Sequence, residues 1–146
     1  MDATVYLQKA FLLAQKANPK DIRPNPFVGA IIVDENGAIK GQGYHKKLGE
    51  AHAEVYAIQE ALENQTDLSK STLYVTLEPC TMCAGAMLHA RVERVVFGAA
   101  DPKTGAAGSV LNVFSEKQIN HQTQVEGGIM GEECGQLLRD FFKGRR

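Results

Sequence analysis

The sequence has no long apolar stretch and no segment typical of export. None of its runs reaches the roughly 18 apolar residues that a membrane-spanning helix needs, and Met1 to Ala10 lack the basic and then apolar order of a secretory signal. Internal repeats, low-complexity stretches and Ser/Gly-rich linkers are also missing. We therefore expect one domain, residues 1–146, in the cytoplasm and without membrane attachment.

Cysteine is scarce, and neither sign of charge dominates. The three cysteines are an odd number, and two of them lie close together as Cys80-Thr81-Met82-Cys83, which suits a metal site or a redox pair better than a disulfide framework. The formal net charge of -1 argues against wholesale nonspecific binding of nucleic acid. Any contact with nucleic acid is then expected to involve a local basic patch.

Hydrophobic periodicity predicts alternating helices and strands. Helical spacing is found near the N-terminus and over 52–62, 81–90 and 131–142, and strand formers occupy 28–33, 38–44, 72–77, 94–99 and, weakly, 123–125. Asn36-Gly37 is typical of a tight hairpin turn in which both residues have positive φ. Strands joined by helices need right-handed crossovers, so the later strands should be parallel. The expected fold is α/β, a three-layer α/β/α sandwich with a five-stranded mixed sheet.

Two short motifs contain the residues suited to chemistry, and each begins a predicted helix. They are His52-Ala53-Glu54 and Pro79-Cys80-Thr81-Met82-Cys83. One imidazole and two thiolates occupy three corners of a tetrahedron and leave the fourth for water, which is the arrangement of a catalytic zinc. The positive ends of helix dipoles favour the thiolates that zinc requires. We expect one Zn²⁺ per subunit, held by His52, Cys80 and Cys83.

Glu54 is the expected catalytic residue. Zinc lowers the pKa of a bound water to about 7, and Glu54, on the same helical turn as His52, can take the water's proton and pass it to a ring nitrogen and a departing ammonia. A lone His-x-Glu is a weak signal, and a lone Cys-x-x-Cys also fits a redox pair. The third cysteine, Cys134, lies on an apolar stripe and is interpreted as a core residue.

Together the motifs resemble the cytidine deaminase-like superfamily, and this resemblance covers almost the whole chain. From Ser71 onward the sequence looks most like the bacterial tRNA adenosine deaminases, through residues 73–87, 94–99, 101–109 and 140–146. That resemblance implies hydrolytic conversion of adenosine to inosine at the wobble position of a tRNA anticodon loop, by a homodimer. It also implies RNA contacts from Phe142, Arg145 and Arg146, although cations at a helix end equally suit the helix dipole.

The N-terminal half departs from this pattern. Residues 23–29 and 43–54 look more like the deaminase domain of riboflavin biosynthesis, which acts on a phosphoribosylated aminopyrimidine. Where this chain has His45, the tRNA family typically has an asparagine that reads the base. The riboflavin family usually has an insertion between its two cysteines, which Cys80-Thr81-Met82-Cys83 lacks. Substrate contacts are predicted for Asn25, His45 and Ala53.

Two alternatives to the tRNA substrate therefore stay open. One is a deaminase of a small molecule, either the riboflavin-pathway nucleotide or a nucleobase or nucleoside such as guanine or cytosine. The other is a zinc-dependent binding module without turnover, against which the presence of Glu54 speaks. The Gly/Ala-rich loop over 100–109 is expected to form a wall of the site. A basic patch would be extended by Lys46, Lys47, Arg91, Arg94 and Lys103.

Overall fold

The computed structural model describes residues 3–22, 25–116 and 121–143, and the side chains of these except 137, 138 and 141–143. The helices are α1 (Ala3–Ala14), α2 (Pro19–Ile22), α3 (Ala53–Glu63), α4 (Thr81–His89) and α5 (Gly131–Lys143). The strands are β1 (Gly29–Val33), β2 (Ile39–Tyr44), β3 (Thr72–Leu77), β4 (Arg94–Ala99) and β5 (Gln124–Glu126). Short 3-10 turns cover Leu68–Lys70 and Val113–Ser115. The order of elements predicted from the sequence is confirmed, including the weakly indicated fifth strand.

The strands form one five-stranded mixed sheet in the order β2-β1-β3-β4-β5. Strand β1 pairs antiparallel with both β2 and β3, whereas β3, β4 and β5 run parallel. The parallel strands are joined through α4 and the segment that follows β4, as the crossover argument requires. All three parallel strands therefore end at the same edge of the sheet.

Helices cover both faces of the sheet, which confirms the three-layer sandwich. Helices α3 and α4 pack on one face, against side chains that include Ile32, Val75 and Val95. Helix α1 packs on the other face, against Ile31, Val33, Tyr74 and Val96, and α5 reaches Leu77 and Ala99 through Cys134. Strand β1 is buried along its whole length, because helices exclude water from both of its faces. None of the described helices is long and apolar enough to cross a bilayer.

Two glycines let helices approach the sheet closely. A β-carbon on Gly29 would collide with the carbonyl oxygen of Ala10 in α1, and one on Gly41 would collide with that of Ala57 in α3. Glycine is the residue that permits such an approach between a backbone and its neighbour. The tight docking of α3 on β2 fixes the position of the first turn of α3, where the His-x-Glu motif lies.

The hairpin between β1 and β2 differs from the expected two-residue turn. Gly37 has a φ of +85°, but Asn36 is not among the described residues with positive φ. The Asp34 carboxylate accepts hydrogen bonds from the backbone N–H groups of Asn36 and Ala38, both at 2.9 Å. The loop is therefore a longer turn organised by Asp34, with glycine only at its left-handed position. The expectation of positive φ at both Asn36 and Gly37 is wrong.

Candidate active site

The metal-binding residues lie where α3 and α4 begin. His52 is the N-cap of α3 and Cys80 is the N-cap of α4; both have extended backbone, and neither side chain caps its own helix. Their side chains are consequently free to point toward one another. Cys83 lies in the first turn of α4, two residues after Thr81. The two helix starts thus bring together donors that are 28 and 31 residues apart in the sequence.

The geometry of the three side chains fits one zinc ion. His52 Nδ1 lies 3.3 Å from Cys83 Sγ and 3.8 Å from Cys80 Sγ, and the three donor atoms all lie within 4.8 Å of one another. Zn–N and Zn–S bonds at a tetrahedral angle place nitrogen and sulfur about 3.6 Å apart. Both short contacts involve Nδ1, so the imidazole would bind through that nitrogen. The predicted zinc site is confirmed.

The two thiols of the site interact with each other, and their pKa values shift in opposite directions. A hydrogen bond from Cys83, and further ones involving His52, lower the pKa of Cys80 to about 4 in spite of its burial. The same hydrogen bond to Cys80, together with burial, raises the pKa of Cys83. One of the two sulfurs thus holds the proton that the other gives up. A metal ion would replace that proton, because zinc binds thiolates.

A cavity of about 200 Å³ opens beside these donors. His52, Glu54 and Cys80 line it together with the predicted substrate residues Asn25 and His45. Asp101 and Thr104 bring the 100–109 loop to the cavity, which confirms the prediction that this loop forms a wall. The remaining lining residues are Pro26, Val28, Leu77 and Glu78. The side chain of Ala53, the first residue of α3, is fully buried in the core, and Ala53 is not among the residues that line this cavity; its predicted contact with substrate stays a prediction.

Glu54 is a buried carboxyl group in the first turn of α3. Only 4% of it is exposed, and this burial is the main cause that raises the pKa of its carboxyl group above the ordinary value. A raised pKa makes a buried carboxyl group bind a proton more readily than an exposed one does, which suits a group that accepts and returns a proton. Glu54 lies two residues after His52 and lines the same cavity, and its carboxyl group interacts with His52, Cys80 and Cys83.

Asn25 and His45 form a hydrogen-bonded pair at the cavity. His45 Nδ1 lies 3.3 Å from the carbonyl oxygen of Ala51, which can only accept, so Nδ1 carries the proton. His45 Nε2 then accepts from the side-chain amide of Asn25 at 3.0 Å. Burial is the main cause that lowers the pKa of His45, in keeping with a neutral ring. The ring of His45 also packs edge-on against that of His52, with centroids 5.2 Å apart.

Glu78 was not predicted as a site residue, although it lines the cavity and is only 3% exposed. Burial alone would raise the pKa of its carboxyl group, but hydrogen bonds from Ser109, Asp101 and Ala107 outweigh burial and lower it. Glu54 and Glu78 are therefore two carboxyl groups in one cavity with pKa shifts of opposite direction. No local pattern marks Glu78, because its partners lie 23 to 31 residues further along the chain.

The structure describes only some of the remaining predicted residues, which are the expected RNA contacts, the basic patch and Cys134. The side chain of Phe142, and Arg145 and Arg146 entirely, lie outside them. Of the candidate basic residues, Arg94 pairs with Glu126, and the Lys46 ammonium lies over the rings of Tyr44 and Tyr56, 5.4 and 4.6 Å from their centroids. Cys134 is buried at 3% exposure, as its interpretation as a core residue predicted.

The fold and the three donors define a zinc-dependent deaminase. Residues 2–99 match the family model described as the cytidine and deoxycytidylate deaminase zinc-binding region. The chain belongs to this family and is a zinc-dependent hydrolytic deaminase, as the resemblance of its motifs implied.

Three proteins that are similar to this chain over nearly its whole length are a curated relative and two solved structures. A tRNA-specific adenosine deaminase of Haemophilus influenzae is 45% identical over 146 aligned residues, which cover 96% of this chain and 83% of that protein. A structure from work on A-to-I editing by tRNA:A34 deaminases is 33% identical, with a TM-score of 0.78, covering 92% of this chain and 99% of the other. A Thermotoga maritima diaminohydroxyphosphoribosylaminopyrimidine deaminase/5-amino-6-(5-phosphoribosylamino)uracil reductase is 34% identical, with a TM-score of 0.80. This chain is covered to 97% in that last comparison but spans only 40% of the neighbour's length.

Proposed function

We propose that this deaminase converts adenosine to inosine at the wobble position of a tRNA anticodon. The observation that carries the proposal is the similarity, over nearly the whole chain, to the tRNA-specific adenosine deaminase of Haemophilus influenzae. That protein is matched over most of its own length, so the similarity is not limited to the zinc motifs. The overall reaction is adenosine plus water giving inosine plus ammonia.

The size of the cavity suits a single base. Sites for drug-sized ligands measure about 300–1,000 Å³, whereas this cavity is about 200 Å³. Enzymes that act on a base within RNA turn it out of the stack and insert only that base into the pocket. The remainder of the anticodon loop would then lie on the surface around the cavity mouth.

The roles of the residues follow from their positions. His52, Cys80 and Cys83 would hold the zinc ion, which would supply the Lewis acidity that makes a water molecule reactive at neutral pH. Glu54 would accept the first proton as the water oxygen bonds to the amine-bearing ring carbon and deliver it to the ring nitrogen, and it would then carry the second proton, from the new hydroxyl group, to the amine. The carbon–nitrogen bond then breaks and ammonia leaves. Burial raises the pKa of the Glu54 carboxyl group, which helps it to take up a proton in this step.

Asn25 is proposed to contact the substrate through its carbonyl oxygen. Its amide nitrogen donates one of its two N–H groups to His45 Nε2, so the carbonyl oxygen is the acceptor that this side chain can offer to a ligand. Because Ala51 fixes the proton on the opposite nitrogen of His45, the pair presents a defined orientation of donors and acceptors. In the resembled tRNA family the position of His45 is typically an asparagine, so in this chain a histidine that is held by Asn25 takes that place.

A homodimer in the cytoplasm completes the proposal. Met82 in α4 is 60% exposed, and Val110 and Leu111, just before the Val113–Ser115 turn, are 53% and 54% exposed. Such large apolar side chains on the surface provide area that a second copy would cover. Sedimentation of the protein at micromolar concentration should show a dimer, and Met82→Lys with Leu111→Lys should shift it toward the monomer. A wild-type monomer would contradict this part.

The substrate is tested with purified zinc-loaded protein and two transcripts of one arginine tRNA, carrying adenosine or guanosine at the wobble position. Inosine is read as guanosine after reverse transcription, and released ammonia is measured in parallel. We expect inosine at the wobble position of the first transcript and no ammonia from the second. A preparation with one zinc per chain that forms no inosine would refute the tRNA substrate.

A second candidate, deamination of a small pyrimidine nucleotide, is favoured by Asn25 and His45. These residues belong to the segments that resemble the riboflavin-pathway enzyme, and the Thermotoga maritima neighbour has a TM-score of 0.80. Ammonia release from the phosphoribosylated diaminopyrimidine, from guanine and from cytosine separates the two functions. Rapid release from one of these compounds, without inosine in tRNA, would replace the first proposal by this one.

A further inference from the structure

Glu78 makes an unusual number of hydrogen bonds to one loop. Its Oε1 accepts from the backbone N–H of Asp101 at 3.0 Å and from the hydroxyl of Ser109. Its Oε2 accepts from the backbone N–H groups of Ala107 at 2.9 Å and Ser109 at 3.0 Å. All four donors belong to residues 101–109, the loop that forms one wall of the cavity.

These hydrogen bonds leave Glu78 without a free position for substrate. An ionised carboxylate offers about four lone-pair sites, and here four donors occupy them. Although Glu78 lines the cavity, it therefore cannot serve as a second proton carrier beside Glu54. What it can do is hold the loop, because each of its hydrogen bonds ends on that segment.

The loop is folded around the carboxylate of Glu78. A β-carbon on Gly105 would collide with that carboxylate, so the glycine allows the backbone to pass over it. The N–H of Ala106 donates to the carbonyl of Pro79 at 2.8 Å, which ties the loop to the segment just before Cys80. At the other end, Asp101 accepts from the hydroxyl of Thr104 at 2.7 Å, and both residues reach the cavity.

We propose that Glu78 is a positioning residue that fixes the 101–109 loop relative to the Cys80 segment and thereby sets the affinity for substrate. Glu78 lies two residues before Cys80. The same short segment therefore supplies a metal ligand, Cys80, and the residue that holds the 101–109 loop, Glu78. Loss of the anchor should loosen the wall while leaving the zinc donors in place. The effect on substrate affinity rests on the proposed function, whereas the effect on the loop does not.

Glu78→Gln tests the proposal with little change of shape. The amide nitrogen of glutamine cannot accept, so the hydrogen bonds made by one of the two oxygens are lost and two donors face an N–H₂ group. We expect KM for the tRNA to rise about 10-fold or more with kcat changed less than about 3-fold, and zinc to stay at one per chain. Ser109→Ala removes one donor of the four and should give a smaller rise in KM. Glu63→Gln, at an exposed position of α3, is the matched control and should change nothing.

Hydrogen exchange measured without substrate gives the readout that is independent of function. In Glu78→Gln, exchange should accelerate over residues 101–111 and stay unchanged in α3 and α4. Unchanged exchange in that segment, or a loss of kcat with KM unaltered, would overturn the proposal. Accelerated exchange together with absence of any tRNA activity in wild-type protein would refute the proposed substrate but not the anchoring role. Should Glu78→Gln fail to fold, Ser109→Ala alone decides by the same two measurements.

Discussion

Asn25 donates its side-chain amide to Nε2 of His45 across 3.0 Å, and this contact ties the segment before β1 to the loop after β2. Since the other ring nitrogen, Nδ1, is held by the carbonyl of Ala51, the direction of the Asn25 amide is fixed by its neighbours. The pair therefore acts as one polar unit at the cavity. We propose that the side-chain carbonyl oxygen of Asn25 contacts the substrate.

Asn25→Asp should damage this unit specifically. A carboxylate cannot donate to Nε2 of a neutral His45, so the pair would lose its hydrogen bond or require a charged ring. We expect KM to rise about 10- to 100-fold, the range for a lost polar contact at a binding site, with zinc content unchanged. Steady-state kinetics and elemental analysis check this. Asn64→Asp, at an exposed residue that donates to the carbonyl of Lys40, is the control; an equal KM in both variants would contradict the role of Asn25.

Substitutions of Cys83 and of Cys134 should have opposite outcomes for the zinc content. Cys83→Ala removes one of the three donors and should reduce bound zinc to less than about 0.1 per chain, with activity lost in proportion. Cys134→Ala should keep one zinc per chain, because that thiol is buried between α5 and the sheet. Plasma mass spectrometry of both purified variants gives the answer. Zinc retained in the first, or lost in the second, would mean that the donor set is wrong.

Two glycine substitutions should change stability in opposite directions. In Gly41→Ala the new methyl group would collide with the carbonyl of Ala57, so the free energy of unfolding should fall by about 1–3 kcal/mol. Gly85 lies within α4 and has open space around it, so Gly85→Ala should raise the free energy of unfolding by about 0.5–1 kcal/mol. Urea denaturation of both variants measures this difference. Similar values for the two would argue against the close packing of α3 on β2.

The basic C-terminus predicted from the sequence should contribute to RNA binding through phosphate contacts. If Arg145 and Arg146 each neutralise one phosphate, replacing both by alanine should flatten the slope of log K against log salt by about 2. Removal of residues 142–146 should impair activity on tRNA and leave turnover of any small substrate intact. Filter binding at several salt concentrations tests the first statement. Lys9→Ala with Lys16→Ala is the control and should leave the slope unchanged. An unchanged slope in the arginine variant as well would mean that Arg145 and Arg146 are ordinary surface charges.

Much of the fold was predictable because the signals are local. Strands such as Arg94–Ala99 consist of strand formers, and the two motif helices begin at residues whose types suit metal binding. The turn at Asn36 was mispredicted because the carboxylate of Asp34 competes for the backbone N–H groups there. The turn propensity of the pair Asn36-Gly37 does not include the effect of a neighbouring side chain such as Asp34.

The site was only partly predictable because some of its contacts are purely tertiary. His52, Cys80 and Cys83 could be assigned from their types and spacing, since zinc chemistry restricts the choice of donors. Glu78 could not be, because its role exists only through backbone N–H groups of a distant loop. Asn25 and His45 were identified as candidates, but their hydrogen bond needed the hairpin and the preceding segment to be placed in space.

The proposed mechanism depends on Glu54, which carries the protons for a hydrolysis at the metal site. The most direct test is the single-turnover rate of inosine formation by Glu54→Gln, compared with wild-type protein at equal zinc content. We expect one zinc per chain in both proteins and a rate lowered by about 10²- to 10⁴-fold, the usual contribution of a general acid and base. A rate within about 3-fold of wild type, with zinc retained, would contradict it.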